Sequence, residues 1–175
     1  MADPDVEYLG KVTVPIVTFV AGFLVSRFTQ TKAQRREDED RKFGRAQELQ
    51  HAHEAKFQRF CEALQAYIAA QDPGLDEFHL VATTGQSYLD QMKLISDAIL
   101  SENVPAGGRD GTLVRLVLEC ADRTLPQYYG ALRDIAERNT FAYSGELRRE
   151  NYESIYAVVA KYGELQAIQS GASGS

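Results

Sequence analysis

Residues 78–99, Phe-His-Leu-Val-Ala-Thr-Thr-Gly-Gln-Ser-Tyr-Leu-Asp-Gln-Met-Lys-Leu-Ile-Ser-Asp-Ala-Ile, decide the fold. Within them Phe78, Val81, Gly85, Tyr88, Met92, Ile95 and Ile99 recur at alternating steps of three and four, the period of one face of an α-helix. The stretch is closed in front by Asp72-Pro73-Gly74 and behind by the loop 103–111, both rich in residues that break helices. On the near side of the first break, Ala46, Leu49, Phe57, Phe60, Leu64 and Tyr67 follow steps of three and four once His53, in the same register, is included. Two amphipathic helices joined by so short a turn form an antiparallel hairpin.

Beyond the loop, Leu113, Val117, Cys120, Ala121 and Leu125 mark a third helical face. Pro126 either kinks it or opens a new helix capped by Thr124, with Tyr128, Leu132 and Ile135 facing inward. After a loop at 139–143, Ser144 is placed to cap a last helix carrying Ile155, Val158, Tyr162 and Leu165 on one side. The expected fold is all-α, an antiparallel bundle of four to five helices over residues 45–169. Residues 170–175, all Ser, Gly and Ala, have the composition of a flexible tail or an added linker.

Upstream of the bundle the charge pattern changes. Residues 12–26 carry no charge and include nine Val, Ile, Leu or Phe. Fifteen helical residues cover about 22 Å, short of a hydrocarbon core of roughly 30 Å. Extending the segment to residues 8–28, with Lys11 reaching outward, gives about 32 Å, enough to span. Pro15, Gly22, two Thr and one Ser hold insertion near its threshold. Acidic Asp3, Asp5 and Glu7 precede the segment, where a signal peptide would be basic, and Arg27, Lys32, Arg35 and Arg36 follow it. The reading is a single-pass transmembrane helix, N-terminus outside and C-terminal domain in the cytoplasm, with those four cations against lipid headgroups. Thr18, Gly22 and Ser26 lie four apart and offer one small-residue face for packing against another membrane helix. The organisation is thus 1–28 tail and membrane helix, 29–44 charged juxtamembrane stalk, 45–169 cytosolic bundle and 170–175 tail. Ten of the fourteen residues 32–45 are charged, and Gly44 is a candidate hinge at the bundle's entrance.

Chemistry is sparse. Residues 45–169 hold twelve Lys and Arg against eighteen Asp and Glu, a balance that disfavours a nucleic acid polymer as partner. Cys61 and Cys120 sit in apolar helical patterns without a close partner, which suits reduced, buried thiols. The pairs Glu48/His51 and Asp76/His79 imitate di-iron spacing, but the hairpin separates them by more than about 20 Å, so no metal and no cofactor is expected. No nucleophile elbow or phosphate-loop motif occurs. One loop, with Gly107, Gly108, Arg109, Gly111 and Thr112, has the parts of a cradle for a small anionic ligand, as well as those of an ordinary interhelical connection. Tyr128, Tyr129, Phe141, Tyr143, Tyr152, Tyr156 and Tyr162 crowd the C-terminal third, either as core and rim or as a protein-binding patch.

The function expected from this pattern is that of a noncatalytic single-pass membrane protein whose bundle binds a protein partner or self-associates into a homo-oligomer, as anchor, adaptor or assembly subunit. The alternative is an oligomeric effector that perturbs the bilayer when its bundle senses an anionic messenger or a protein. An enzyme without a recognisable motif is the third reading.

Overall fold

In the computed structural model the backbone is described for residues 4–105, 107 and 111–172, and side chains for 34–105, 107 and 111–163. The described chain is helical, without a strand, so the all-α helical bundle of the sequence reading stands. Its elements are α1 (Pro4–Ala69), α2 (Leu75–Leu100), α3 (Thr112–Glu119), a π-helical turn (Cys120–Thr124), α4 (Leu125–Asn139), a 3-10 turn (Arg149–Tyr152) and α5 (Glu153–Ala172). The chain divides into two units, Met1–Arg41 and Lys42–Ser175. In the first, the side chains of residues 34–41 are all exposed, and the Asp38–Arg41 ion pair at 3.8 Å is too solvated to contribute much. No described helix is long and apolar enough to cross a membrane. The expected membrane segment 8–28, with Thr18, Gly22, Ser26 and Arg27, lies outside the described side chains, as do Lys32 and the last-helix residue Leu165.

The second unit is built around α2, whose expected stripe is buried from Phe78 to Ile99. Leu89, Met92, Ile95 and Ile99 are fully buried, each worth about 2 kcal/mol of apolar transfer. Gly74 precedes α2, and the Glu77 carboxylate reaches back to accept its N–H at 2.9 Å. Asp76 and Glu77 in the first turn add a favourable charge at the positive end of the helix dipole.

The hairpin of α1 and α2 forms as expected. Gln91 Nε2 donates to the Leu49 carbonyl at 3.3 Å, and nearer the turn Lys56 Nζ donates to Ser87 Oγ at 2.8 Å. Leu49, Ala63 and Tyr67 are buried on the α1 side, while Phe57 departs from the expected stripe and is 46% exposed. It sits at the rim, its ring 5.5 Å from that of Tyr88, because α1 presents only a narrow edge to α2. Gly44 lies inside α1 as an ordinary helical residue.

Pro126 stands in the first turn of a new α-helical element, as one of the two readings had it, but Thr124 does not cap that element and no gap separates it from α3. Thr124 is in the right-handed helical region with no capping bond, and helix runs on from 112 to 139. The Leu125 N–H bonds the Cys120 carbonyl five residues back, a π spacing. Widening the turn makes room for a ring that lacks an N–H donor and would otherwise press on the preceding turn's carbonyl.

The end of α4 is a paired-bond helix stop. Phe141 N–H bonds the Ala136 carbonyl at 2.9 Å, Thr140 N–H reaches Glu137 at 3.4 Å, and Thr140 adopts φ 57°. Asn139 Nδ2 donates to Tyr67 OH at 2.9 Å, which places this end beside the end of α1. Phe78, at the start of α2, has the Phe141 ring 5.4 Å away. The 112–139 rod therefore runs antiparallel to α2.

Ser144 caps nothing, because no helix starts there. Residues 141–148 run without turn or bend, and their burial alternates one by one: Phe141, Tyr143, Gly145 and Leu147 half-buried, Ala142, Ser144, Glu146 and Arg148 exposed. That is the side-chain period of an extended chain. Gly145 and the spacing of apolar residues by two defeat a helix here. The chain turns helical only at 149, and Tyr152, Ile155, Val158 and Tyr162 then close the core.

One backbone approach sets these elements against one another. A Cβ on Gly85 would collide with the Tyr128 ring and stand 3.0 Å from Phe60 Cε2. Gly130, on the outside of α4, would gain a Cβ with nothing within 4 Å. Gly85→Ala is expected to destabilise the fold by about 1–3 kcal/mol, because overpacking exceeds the gain of up to about 1 kcal/mol in helix propensity. Gly130→Ala keeps only that gain and should stabilise by about 0.5–1 kcal/mol. Chemical denaturation of both variants beside wild type checks the opposite signs.

Candidate functional site

The extended segment 141–148 passes along one side of a cleft of about 450 Å³. Its other side is α2, through Ala82, Thr83 and Gln86, and its floor is α4, through Tyr128, Tyr129 and Leu132. Tyr143, Arg148 and Asn151 complete the rim. Helical spacing explains the floor: Tyr128, Tyr129 and Leu132 share one side of α4, the side turned to the core.

The phenols are tied into a directed chain of hydrogen bonds. Tyr152 OH donates to Gln86 Oε1 at 3.4 Å, so in the 2.9 Å contact between Tyr129 and Tyr152 it is Tyr129 that donates. Gln86 Nε2 passes the chain on to Asp90 Oδ1 at 3.2 Å. Tyr128 OH donates separately to the Ala82 carbonyl at 2.6 Å. Lys93 Nζ stands 5.9 Å from the Tyr152 ring centroid and adds a cation–π attraction. Burial pushes the Tyr128, Tyr143 and Tyr152 hydroxyls above their ordinary range, so these phenols stay protonated and act as donors rather than bases. Burial likewise pushes the Cys120 thiol up to about 12, which leaves it without nucleophilic thiolate at neutral pH.

Flat, rigid rings offer apolar contact area, and Thr83, Gln86, Ser144, Arg148 and Asn151 supply hydrogen-bonding groups at the edge. A second, smaller groove of about 140 Å³ between α1 and α2 is lined by Lys56, Arg59, Thr83, Thr84 and Ser87. Its threonines already donate to the His79 and Leu80 carbonyls, and Lys56 to Ser87, so it is chiefly a polar latch of the hairpin.

Of the anion loop, Gly108 and Arg109 lie outside the described residues. Gly111 occupies the cap position of α3, and its carbonyl accepts the Arg115 N–H at 3.0 Å. A Cβ there would come within 2.6 Å of the Gly107 carbonyl oxygen, a structural reason for this glycine. Arg35 and Arg36 are exposed and belong to the first unit. Among the described residues no three His, Cys, Asp or Glu side chains gather as a metal site. Of the C-terminal aromatics, Tyr128, Tyr129 and Tyr143 meet in the cleft, while Tyr156 holds the Arg149 guanidinium 5.0 Å from its ring on another face. Gln86, Arg148 and Asn151 were not singled out by the sequence reading. The alternation in Phe-Ala-Tyr-Ser-Gly-Glu-Leu-Arg was the signal that could have placed Arg148, whereas no local pattern pointed to Gln86 or Asn151.

No known protein family, no curated protein and no solved structure matches this chain.

His53 is the one described half-buried group with an orphaned buried nitrogen. Its ring lies 5.4 Å from Tyr88 and 6.3 Å from Phe57, and Nε2 is sealed from solvent without a hydrogen-bond partner. Burial lowers its pKa below 6.5, against a smaller opposing pull from Glu54. The neutral ring is thus favoured in the folded state, and the unfolded chain binds the proton first. Stability is full above the unfolded value of about 6.5 and falls as pH drops below it. Between pH 7 and pH 5 the denaturation midpoint should fall in wild type and fall less in His53→Leu, as read by circular dichroism.

Proposed function

We propose that this chain is a noncatalytic single-pass membrane protein whose cytosolic helical bundle holds a protein partner in the tyrosine-walled cleft, serving as an anchor or adaptor. The observation that carries the proposal is the cleft itself: three tyrosines, Gln86, Arg148 and Asn151 around about 450 Å³ of open space. Amphipathic rings that keep an apolar face and a hydrogen-bonding end are what protein-binding surfaces favour. Protonated phenols and a protonated buried thiol fit a binding role better than acid–base or nucleophilic work.

The membrane half rests on the sequence: the uncharged segment 12–26 with acidic residues before it and Arg27, Lys32, Arg35 and Arg36 after it. The small-residue face of Thr18, Gly22 and Ser26 supports self-association within the bilayer, so that several bundles would be presented together.

A photo-crosslinking residue at exposed Ser144, beside the cleft, tests this in the native host. Ile68, 73% exposed and absent from the cleft lining, is the control position. A discrete heavier adduct from Ser144 and none from Ile68 is expected, in a membrane fraction that resists alkaline carbonate. Equal or absent adducts would remove the partner reading, and release by carbonate would remove the anchor.

A further inference from the structure

The extended segment holds a row of backbone groups that no described group of the bundle satisfies. Phe141 N–H is used in the stop of α4, and the Arg148 carbonyl accepts from Asn151 at 3.1 Å. Between them, among the described residues, the N–H groups of residues 142–148 and the carbonyls of residues 141–147 make no hydrogen bond to protein. Seven consecutive donors in an extended chain amount to one strand of a sheet whose neighbour is not among the described residues. Helices cannot use such a row, since their own backbone groups are already paired. The chemistry that fits it is another extended peptide.

We propose that the partner docks by strand addition: an extended peptide segment lies in the cleft and pairs its backbone with residues 142–148. This rests on the protein-partner reading above and specifies how that site works. The cleft is bounded on one side by this segment and on the other by Ala82, Thr83 and Gln86, so the added strand is confined to a channel beside the free backbone edge. Side chains of an added strand alternate between faces. Those on the bundle side meet Tyr128, Tyr129 and Leu132 and are apolar or aromatic, and those on the outer side meet Glu146 and Arg148, which select a base and an acid at those levels. The recognised sequence therefore has an apolar residue at every second position. Backbone pairing supplies affinity, and the tyrosine floor supplies selection.

The test uses the full chain in detergent micelles and, as probe, a displayed library of random decapeptides. Retained peptides are resynthesised with an N-methyl group at each position in turn, which deletes one backbone donor and leaves the side chains intact. Strand addition predicts an alternating scan: at least tenfold weaker binding at every second position and little change between them, since only alternate N–H groups face the host edge. Residue-resolved hydrogen exchange gives the second readout. Amides 142–148 exchange quickly in the free chain and every second one is protected by the peptide. A flat N-methyl scan, protection elsewhere, or a library that yields no binder would overturn strand addition. The Ser144 crosslink is judged apart from these outcomes: a discrete adduct with a flat scan leaves the partner reading in place and removes only its mode. An alternating scan without an adduct leaves a competent edge and removes the partner reading in this host.

Discussion

The absence of a methyl group at Gly85 is the constraint on which the arrangement of the bundle depends. Tyr128 of α4 and Phe60 of α1 both press on α2 at that position, their rings 5.9 Å apart and edge to face. With the ring seated there, Tyr128 OH reaches the Ala82 carbonyl one turn earlier. That bond fixes the height of α4 along α2, and with it the floor of the cleft. Tyr88, three residues on, gathers Phe60, Phe57 and His53 of α1 around the same level. A helix whose most permissive residue lies at its most crowded point gives up intrinsic propensity, about 1 kcal/mol, in exchange for contacts with two other helices.

Much of this was legible in residue spacing, and the exceptions have identifiable causes. The α2 stripe was readable because a helix buried on a wide face shows its period without interruption. Phe57 misled because apolar identity does not distinguish core from rim. The third and fourth helical faces were seen and Pro126 was placed at their join, but spacing alone does not reveal the five-residue turn that links them without a cap. Ser144 looked like a cap because Ser, Gly and acidic residues mark both helix starts and irregular segments. The tyrosines of the cleft were noticed as a cluster. Their partners Gln86 and Arg148 were not, because the residues meet across 62 positions of chain, a distance no local pattern records.

The chemistry of the cleft follows from the burial that builds the core. Rings packed for apolar area keep their hydroxyls from ionising, so the buried phenols of the floor donate hydrogen bonds to acceptors within reach. Tyr128 finds a backbone carbonyl, Tyr129 finds Tyr152, and Tyr152 finds Gln86. These bonds leave the ring faces rigid and the rim polar. A surface of that kind tolerates an amphipathic partner without rearranging, which limits the entropy lost on association.

The π-helical turn has a consequence for how this chain can change. Buried positions step from Val117 to Cys120 by three, then from Cys120 to Leu125 by five, before resuming with Tyr128, Tyr129 and Leu132. In an unbroken α-helix a step of five rotates a side chain by roughly 140° from its predecessor, off the buried face. The widened turn absorbs the surplus residue, so both halves of the rod face one core. Loss of a single residue between Cys120 and Leu125 would restore regular phase, but it would leave Pro126 inside an ordinary helix at a cost of about 3 kcal/mol. The extra residue is therefore tied to the proline: while Pro126 is present, its removal costs more than regular phase returns.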